Sequence, residues 1–209
     1  MSELSVLGGG GHSLVVAEAA DCAGWRLLGV YDDSTQPVAC IRGGLSLLGP
    51  LLAAFKGARL LTVGSVAARR RVLDALGELD DDEWATIVHP RALISRSCRI
   101  DPGGFIGANA VVQASATLGR HAIINTGAIV EHECQLGENV HIAPGAILAG
   151  NVTVGSDTLV GIGARVLPGM TVGEGCTIGA GAVVVHHVPD GATVVGVPAR
   201  TLRSGASRA

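Results

Sequence analysis

Residues 124–154 read INTGAIVEHECQLGENVHIAPGAILAGNVTV, and every sixth residue of that stretch, from Ile124 through Val130, Leu136, Ile142 and Leu148 to Val154, is a branched aliphatic. Stepping by six back to Val88 and on to Val184 extends the run to 17 positions without a break in phase. A fixed short period is the mark of a repeat architecture, in which each unit buries its apolar side only against its neighbours. The other phases agree. Four residues after each aliphatic the side chain is mostly small, as at Ala110, Ala116, Ala122, Ala128, Cys134, Ala146, Ala164, Cys176 and Ala182. Three residues after it, Gly, Asn and Asp recur, as at Gly103, Asn109, Gly127, Asn139, Asn151 and Asp157. These residues tolerate the positive φ that a tight corner demands. Short extended segments bounded by corners predict a parallel β-helix of hexapeptides, with strands of successive coils about 4.8 Å apart. The composition fits a core of stacked small aliphatics, since aromatics are 2% of the chain while Gly is 31 of 209 residues.

Other classes recede on composition. The net charge is -3 and the 15 Lys and Arg are scattered, so no basic stripe points to nucleic acid. Cys22, Cys40, Cys98, Cys134 and Cys176 form no C-x-x-C pair, which argues against a zinc ribbon or a disulfide framework. Three of them occupy the small phase of the repeat and read as filler. The apolar runs fall short of the roughly 20 residues that span a bilayer. The start MSELSVLGGGG has no positive n-region. The expected setting is the cytoplasm, without membrane insertion.

Residues 1–85 follow another rhythm and predict a small Rossmann-like α/β domain ahead of the repeat region at 86–209. Strands are expected at Leu4–Leu7, Leu27–Tyr31 and Arg59–Val63, with helices at Leu14–Cys22, Leu45–Phe55 and Val66–Leu76. The Gly8–Gly11 turn, followed by His12, stands between the first strand and the first helix, where backbone amides can meet a phosphate. As a dinucleotide fingerprint it is incomplete, since Ser13 stands where a third glycine is required. Asp32 closes the second strand, where such folds place a ribose contact.

The combination of GGGGHSLVV and GVYDD with a hexapeptide array holding Glu131-His132-Glu133-Cys134, and with GVPAR at 196–200, resembles one bacterial family. Its members N-acetylate amino groups of nucleotide-linked dideoxysugars, and related members O-acetylate sialic acids. The resemblance implies a left-handed coil of three hexads. It also implies acetyl-CoA as donor, an amino sugar on UDP or GDP as acceptor, and no metal. It assigns His132 as general base and Glu133 as its orienting partner. His141 is assigned to the acetyl-CoA side, with Gly150, Ile162 and Ala180 as main-chain contacts. Gly10, Gly11 and His12, with Asp32 and Asp33, are assigned to the nucleotide sugar.

Spacing adds a check. With 18 residues per coil, Gly150 lies one coil beyond His132, which places an amide N–H beside the base, as acyl transfer requires. Pro144, Ile162 and Ala180 form a second 18-residue column, along which pantetheine can lie. His141 is half a coil from His132, so the two share a site only across a subunit boundary, which favours a homotrimer. Asn125 reads either as a contact for the substrate amine or as a corner residue. His89, His121, His186 and His187 read as structural or exposed.

Three functions compete. N-acetyl transfer leads, and O-acetylation of a sugar hydroxyl is its chemical neighbour. A β-helix carbonic anhydrase needs histidines two coils apart, and no pair here is separated by 36 residues. A non-catalytic sugar-nucleotide scaffold is disfavoured by the presence of His132 and Glu133.

Overall fold

A computed structural model describes residues 2–77 and 80–202; the C-terminal SGASRA segment, expected to lack order, lies outside the described residues. The N-terminal layer is a four-stranded parallel sheet. Its strands are β1 (Glu3–Leu7), β2 (Arg26–Tyr31), β3 (Leu47–Gly49) and β4 (Ala58–Leu61), in the order β3-β2-β1-β4. Helices α1 (Gly11–Cys22), α2 (Val38–Gly43) and α3 (Val66–Leu76) connect or follow them. Leu4, Val6, Val30 and Leu60 are fully buried in it.

Two expectations fail here. The segment 45–55 is not a helix. Gly44 ends α2 in the left-handed conformation at φ 66°, and the chain then pairs as β3, Val30 against Leu47 and Tyr31 against Gly49. Pro50 follows at once and cannot sit inside a helix, because it lacks the amide hydrogen and its ring clashes with the preceding turn. The first helix also begins earlier than its apolar spacing suggests. Gly11 and His12 form its first turn, and only Gly8 to Gly10 remain as loop. The third helix, Val66–Leu76, matches its expected span, and Ser65 caps it by accepting from the Ala68 amide at 3.3 Å.

From Ile87 onward the chain climbs in coils of three two-residue strands. Strands one coil apart pair in parallel register, as Ile124 with Ile142, Val130 with Leu148 and Leu136 with Val154. Three sheets result, of eight, six and five strands. The second residue of each strand points inward, and Ile124, Val130, Ile142, Leu148 and Val160 are fully buried, stacked with Ala110, Ala116, Ala128 and Ala146. Corners carry positive φ where the repeat expects it, at Asn109, Asn139, Asn151 and Asp157, and also at Ser115, His121 and Glu133.

The first residue of each strand points outward and gives each face its own character. On the eight-stranded face it is Ile87, Phe105, Ile123 and His141 in the lower coils, all buried beneath the N-terminal layer, and Leu159 and Thr177, only partly buried, in the coils above. On the five-stranded face it is Arg99, Thr117, Gln135, Thr153 and Thr171, polar throughout. On the six-stranded face it is Leu93, Val111, Ile129, Ile147, Arg165 and Val183, mostly aliphatic and partly exposed.

The seam between layer and helix is apolar at its centre, where Ile87, Phe105 and Ile123 join Leu4, Val16 and Ala20. It is ionic at its edge, where Arg70 reaches Asp157 at 2.9 Å and Glu138 at 3.1 Å. No helix among the described residues is long and apolar enough to cross a membrane.

Candidate active site

His132 stands at the corner between the six- and five-stranded faces, between the strands Ile129–Val130 and Gln135–Leu136. Its Nδ1–H donates to Glu133 Oε2 at 2.9 Å, which leaves Nε2 as the ring nitrogen with a free lone pair. Glu133 adopts φ 61°, uncommon for a residue with a side chain, and this turn brings its carboxylate back onto the neighbouring imidazole. One coil up, the Asn151 amide donates to the His132 carbonyl at 2.8 Å, stacking the 150–151 corner on the 132–133 corner. The ring of His132 occupies the place where a side chain at Gly150 would begin, since a Cβ built there overlaps Nε2 and Cε1. Among the backbone hydrogen bonds of the described residues, the Gly150 N–H donates to none. An imidazole, a carboxylate and an amide without a backbone partner therefore meet at one corner.

His141 lies elsewhere, on the eight-stranded face. Its Nδ1 pairs with the Gly64 carbonyl at 3.0 Å and its Nε2 with Asn125 Nδ2 at 3.1 Å. The Asn125 Oδ1 accepts from the Thr126 amide at 2.8 Å, which orients the side-chain amide. His12, in the first turn of α1, has its ring centroid 6.3 Å from that of His141 and 5.4 Å edge-on from that of Phe105. Burial, reinforced by the nearby Arg69 cation, pushes both histidines down to about 4, so both are neutral at physiological pH. Buried His12 Nε2 has no hydrogen-bond partner.

Of the two acids that follow β2, Asp32 holds the glycine turn and Asp33 holds the loop after β3. Asp32 accepts from the Gly9 amide at 2.6 Å and the Ser34 amide at 2.7 Å, and Asp33 accepts from the Leu51 amide at 2.9 Å. Space above Gly10 and Gly11 is open, with nothing within 4 Å of a side-chain position. The structure thus brings His12, Asn125 and His141 together beside the glycine turn, and keeps His132, Glu133 and Gly150 on another corner. Pro144, Ile162 and Ala180 form a ladder on the edge between the eight- and six-stranded faces. Gly163 N donates to the Pro144 carbonyl at 3.0 Å and Gly181 N to the Ile162 carbonyl at 2.8 Å. Ile162 is 61% exposed on that edge.

Sequence reasoning overlooked Arg69, which is fully buried at the seam. Within Arg69-Arg70-Arg71 it reads as one of a solvated run. The available signal is helical phase, for Arg69 lies three residues after Val66 and four before Leu73, on the packed side of α3. Trp84 was equally unmarked; its ring stands edge-on to His121 with centroids 4.5 Å apart.

The stacked hexad coils are those of a hexapeptide-repeat protein. Residues 115–150 and 151–186 match the bacterial transferase hexapeptide model (six repeats), and residues 3–76 match the PglD N-terminal domain. The acetyltransferase domain of PglB from Neisseria gonorrhoeae FA1090, solved with acetyl coenzyme A, is 39% identical. The match covers 96% of this chain and 99% of that one with a TM-score of 0.86. PerB from Caulobacter crescentus, solved with CoA and GDP-perosamine, is 33% identical over 97% of each chain, with a TM-score of 0.83. UDP-N-acetylbacillosamine N-acetyltransferase of Bacillus subtilis (strain 168) is 37% identical over 117 residues, and the match spans 52% of its length. The chain belongs to the family of bacterial nucleotide-linked amino-sugar N-acetyltransferases built on a left-handed β-helix.

Proposed function

We propose that the protein transfers an acetyl group from acetyl-CoA to the amino group of a dideoxysugar carried on UDP or GDP. The observation that carries the reading is the corner where His132, oriented by Glu133, meets the free amide of Gly150. His132 Nε2 accepts a proton from the attacking amine as its nitrogen bonds to the thioester carbonyl carbon. The Gly150 N–H stabilises the oxyanion of the tetrahedral intermediate. As the carbon–sulfur bond breaks, the proton on His132 passes to the departing CoA thiolate. Base, oxyanion donor and acceptor amine complete the transfer with no covalent enzyme intermediate and no metal. The family's relatives named above favour the amine acceptor over a sialic-acid hydroxyl.

The division of labour follows the chain. Residues 1–85 hold the nucleotide sugar through Gly10, Gly11, His12, Asp32 and Asp33, with Asn125 at the sugar amine. Residues 86–209 carry out the transfer, with His141, Gly150, Ile162 and Ala180 along the acyl donor. The active unit is a homotrimer in the cytoplasm. The six-stranded face supports it, for its outward column is aliphatic and partly exposed apart from Arg165. Placing three copies of this face around an axis sets the edge of Asn125, Pro144 and Ile162 in one subunit against the corner of His132 in the next.

Thiol release from acetyl-CoA, measured with a panel of UDP- and GDP-linked 4-amino-4,6-dideoxysugars, tests the reading. Release with one panel member and a fall in kcat of about a hundredfold or more in His132→Ala are expected. Release with sialic acids alone would replace the amine by a hydroxyl acceptor, and failure to bind CoA would overturn the proposal.

A further inference from the structure

The buried cation of the seam is unused by the reaction as described, yet it holds both chain segments that flank His141. Arg69 Nε donates to Asn139 Oδ1 at 2.5 Å, Nη2 to the Asn139 carbonyl at 3.0 Å and Nη1 to the Val63 carbonyl at 3.0 Å. Asn139 lies two residues before His141, and Val63 directly precedes Gly64, whose carbonyl meets His141 Nδ1. A single planar guanidinium thus spaces the strand that bears the imidazole from the loop that fixes its tautomer.

We propose that Arg69 is a positioning residue that holds His141 as the neutral Nδ1–H tautomer and thereby fixes Asn125 as a hydrogen-bond donor toward the reacting groups. The inference rests on the reading that His141 and Asn125 line the transfer site. The polarity runs one way. A carbonyl only accepts, so His141 Nδ1 bears the hydrogen donated to Gly64. Its Nε2 then has the lone pair, and Asn125 Nδ2–H donates to it. With Asn125 Oδ1 taken by the Thr126 amide, the side chain is held against flipping, and the second Nδ2 hydrogen is left for an acyl or sugar oxygen.

The charged and titratable groups packed around His141 reinforce this order. Arg69 from α3 lowers its basicity after burial does, and His12 from α1 acts weakly in the same sense. Arg70 pairs with both Glu138 and Asp157 at the neighbouring corner. Asp157 also accepts from Asn139 Nδ2 at 2.6 Å, holding Asn139 for the guanidinium. Lysine cannot replace this fork, because one ammonium does not reproduce three bonds in a fixed plane.

Arg70 supplies the control, since it ties the same layers together through Glu138 and Asp157. Imidazole 15N NMR of the full-length protein, with His141 assigned by His141→Gln, reads the tautomer directly, and steady-state kinetics read its consequence. Wild type should show one Nδ1–H species for His141 from pH 8 to about 5.5, given its pKa of about 4. Arg69→Lys should shift His141 toward the other tautomer or an average. It should also lower kcat roughly tenfold to a hundredfold, with KM for acetyl-CoA little changed. Arg70→Leu should lower Tm but keep both the tautomer and kcat. Asn139→Gly, which preserves the positive φ of that corner, should give a milder version of Arg69→Lys even if the lysine variant folds poorly. A wild-type tautomer in both Arg69→Lys and Asn139→Gly, or an equal shift in Arg70→Leu, would overturn the assignment. If wild type transfers no acetyl group to any amino sugar, the functional reading falls, while the NMR still decides the role of Arg69.

Discussion

Gly150 matters for what it lacks. Its φ is not in the left-handed region, so the backbone there accepts alanine without strain. The obstacle is the ring of His132, which lies in the space a Cβ needs. Gly150→Ala is therefore expected to leave thermal unfolding close to wild type while lowering kcat about a hundredfold, because the imidazole must swing away from the amide beside it. Thiol-release kinetics alongside a melting curve measure both. This corner was legible in the sequence because an 18-residue coil stacks residue 150 on residue 132. Helical phase marks Arg69 as a packed position, but its role was not legible, because its partners Val63, Asn139 and, through them, His141 come from separate elements joined only by the fold. Asp32 was legible as an acid at a strand end, but its bonds to the Gly9 and Ser34 amides depend on how the loops close over it.

At the level of elements, the three faces of the β-helix differ in a single column each. The inward column is aliphatic everywhere, which is why periodicity sufficed to predict the helix. The outward column decides what covers each face, and it reads as pairs such as Phe105-Ile106 or Thr153-Val154. Ile147→Arg on the six-stranded face should convert the proposed trimer to smaller species in light scattering, since a second charge beside Arg165 has to be buried there without a partner. Thr153→Arg, one strand further on, should leave the assembly intact. In the N-terminal layer the expected 45–55 helix failed because apolar Leu45 to Leu52 has no decisive period, and short apolar runs fit strand or helix until Gly44 and Pro50 are weighed.

Across the whole molecule, three histidines are stored neutral inside the folded protein. His12, His121 and His141 are held at about 4, chiefly by burial, whereas a free imidazole titrates near 6.5. Below about pH 6.5 the unfolded chain takes up protons that the native state refuses until about pH 4, so stability falls as pH falls through that window. The slope is at most about 1.4 kcal/mol per pH unit for each histidine. Urea midpoints measured between pH 7.5 and 5.5 should decline, and His121→Gln should flatten the decline by roughly a third. The seam that buries two of these rings also limits how such chains can be recombined. A chimaera cut at residue 85 parts Arg69 from Asn139 and Gly64 from His141, so a foreign N-terminal layer restores this seam only if it carries its own arginine and loop carbonyl at those places. Recombination within this fold is then constrained by Arg69 and Asn139, which the proposed reaction assigns to neither sugar nor coenzyme.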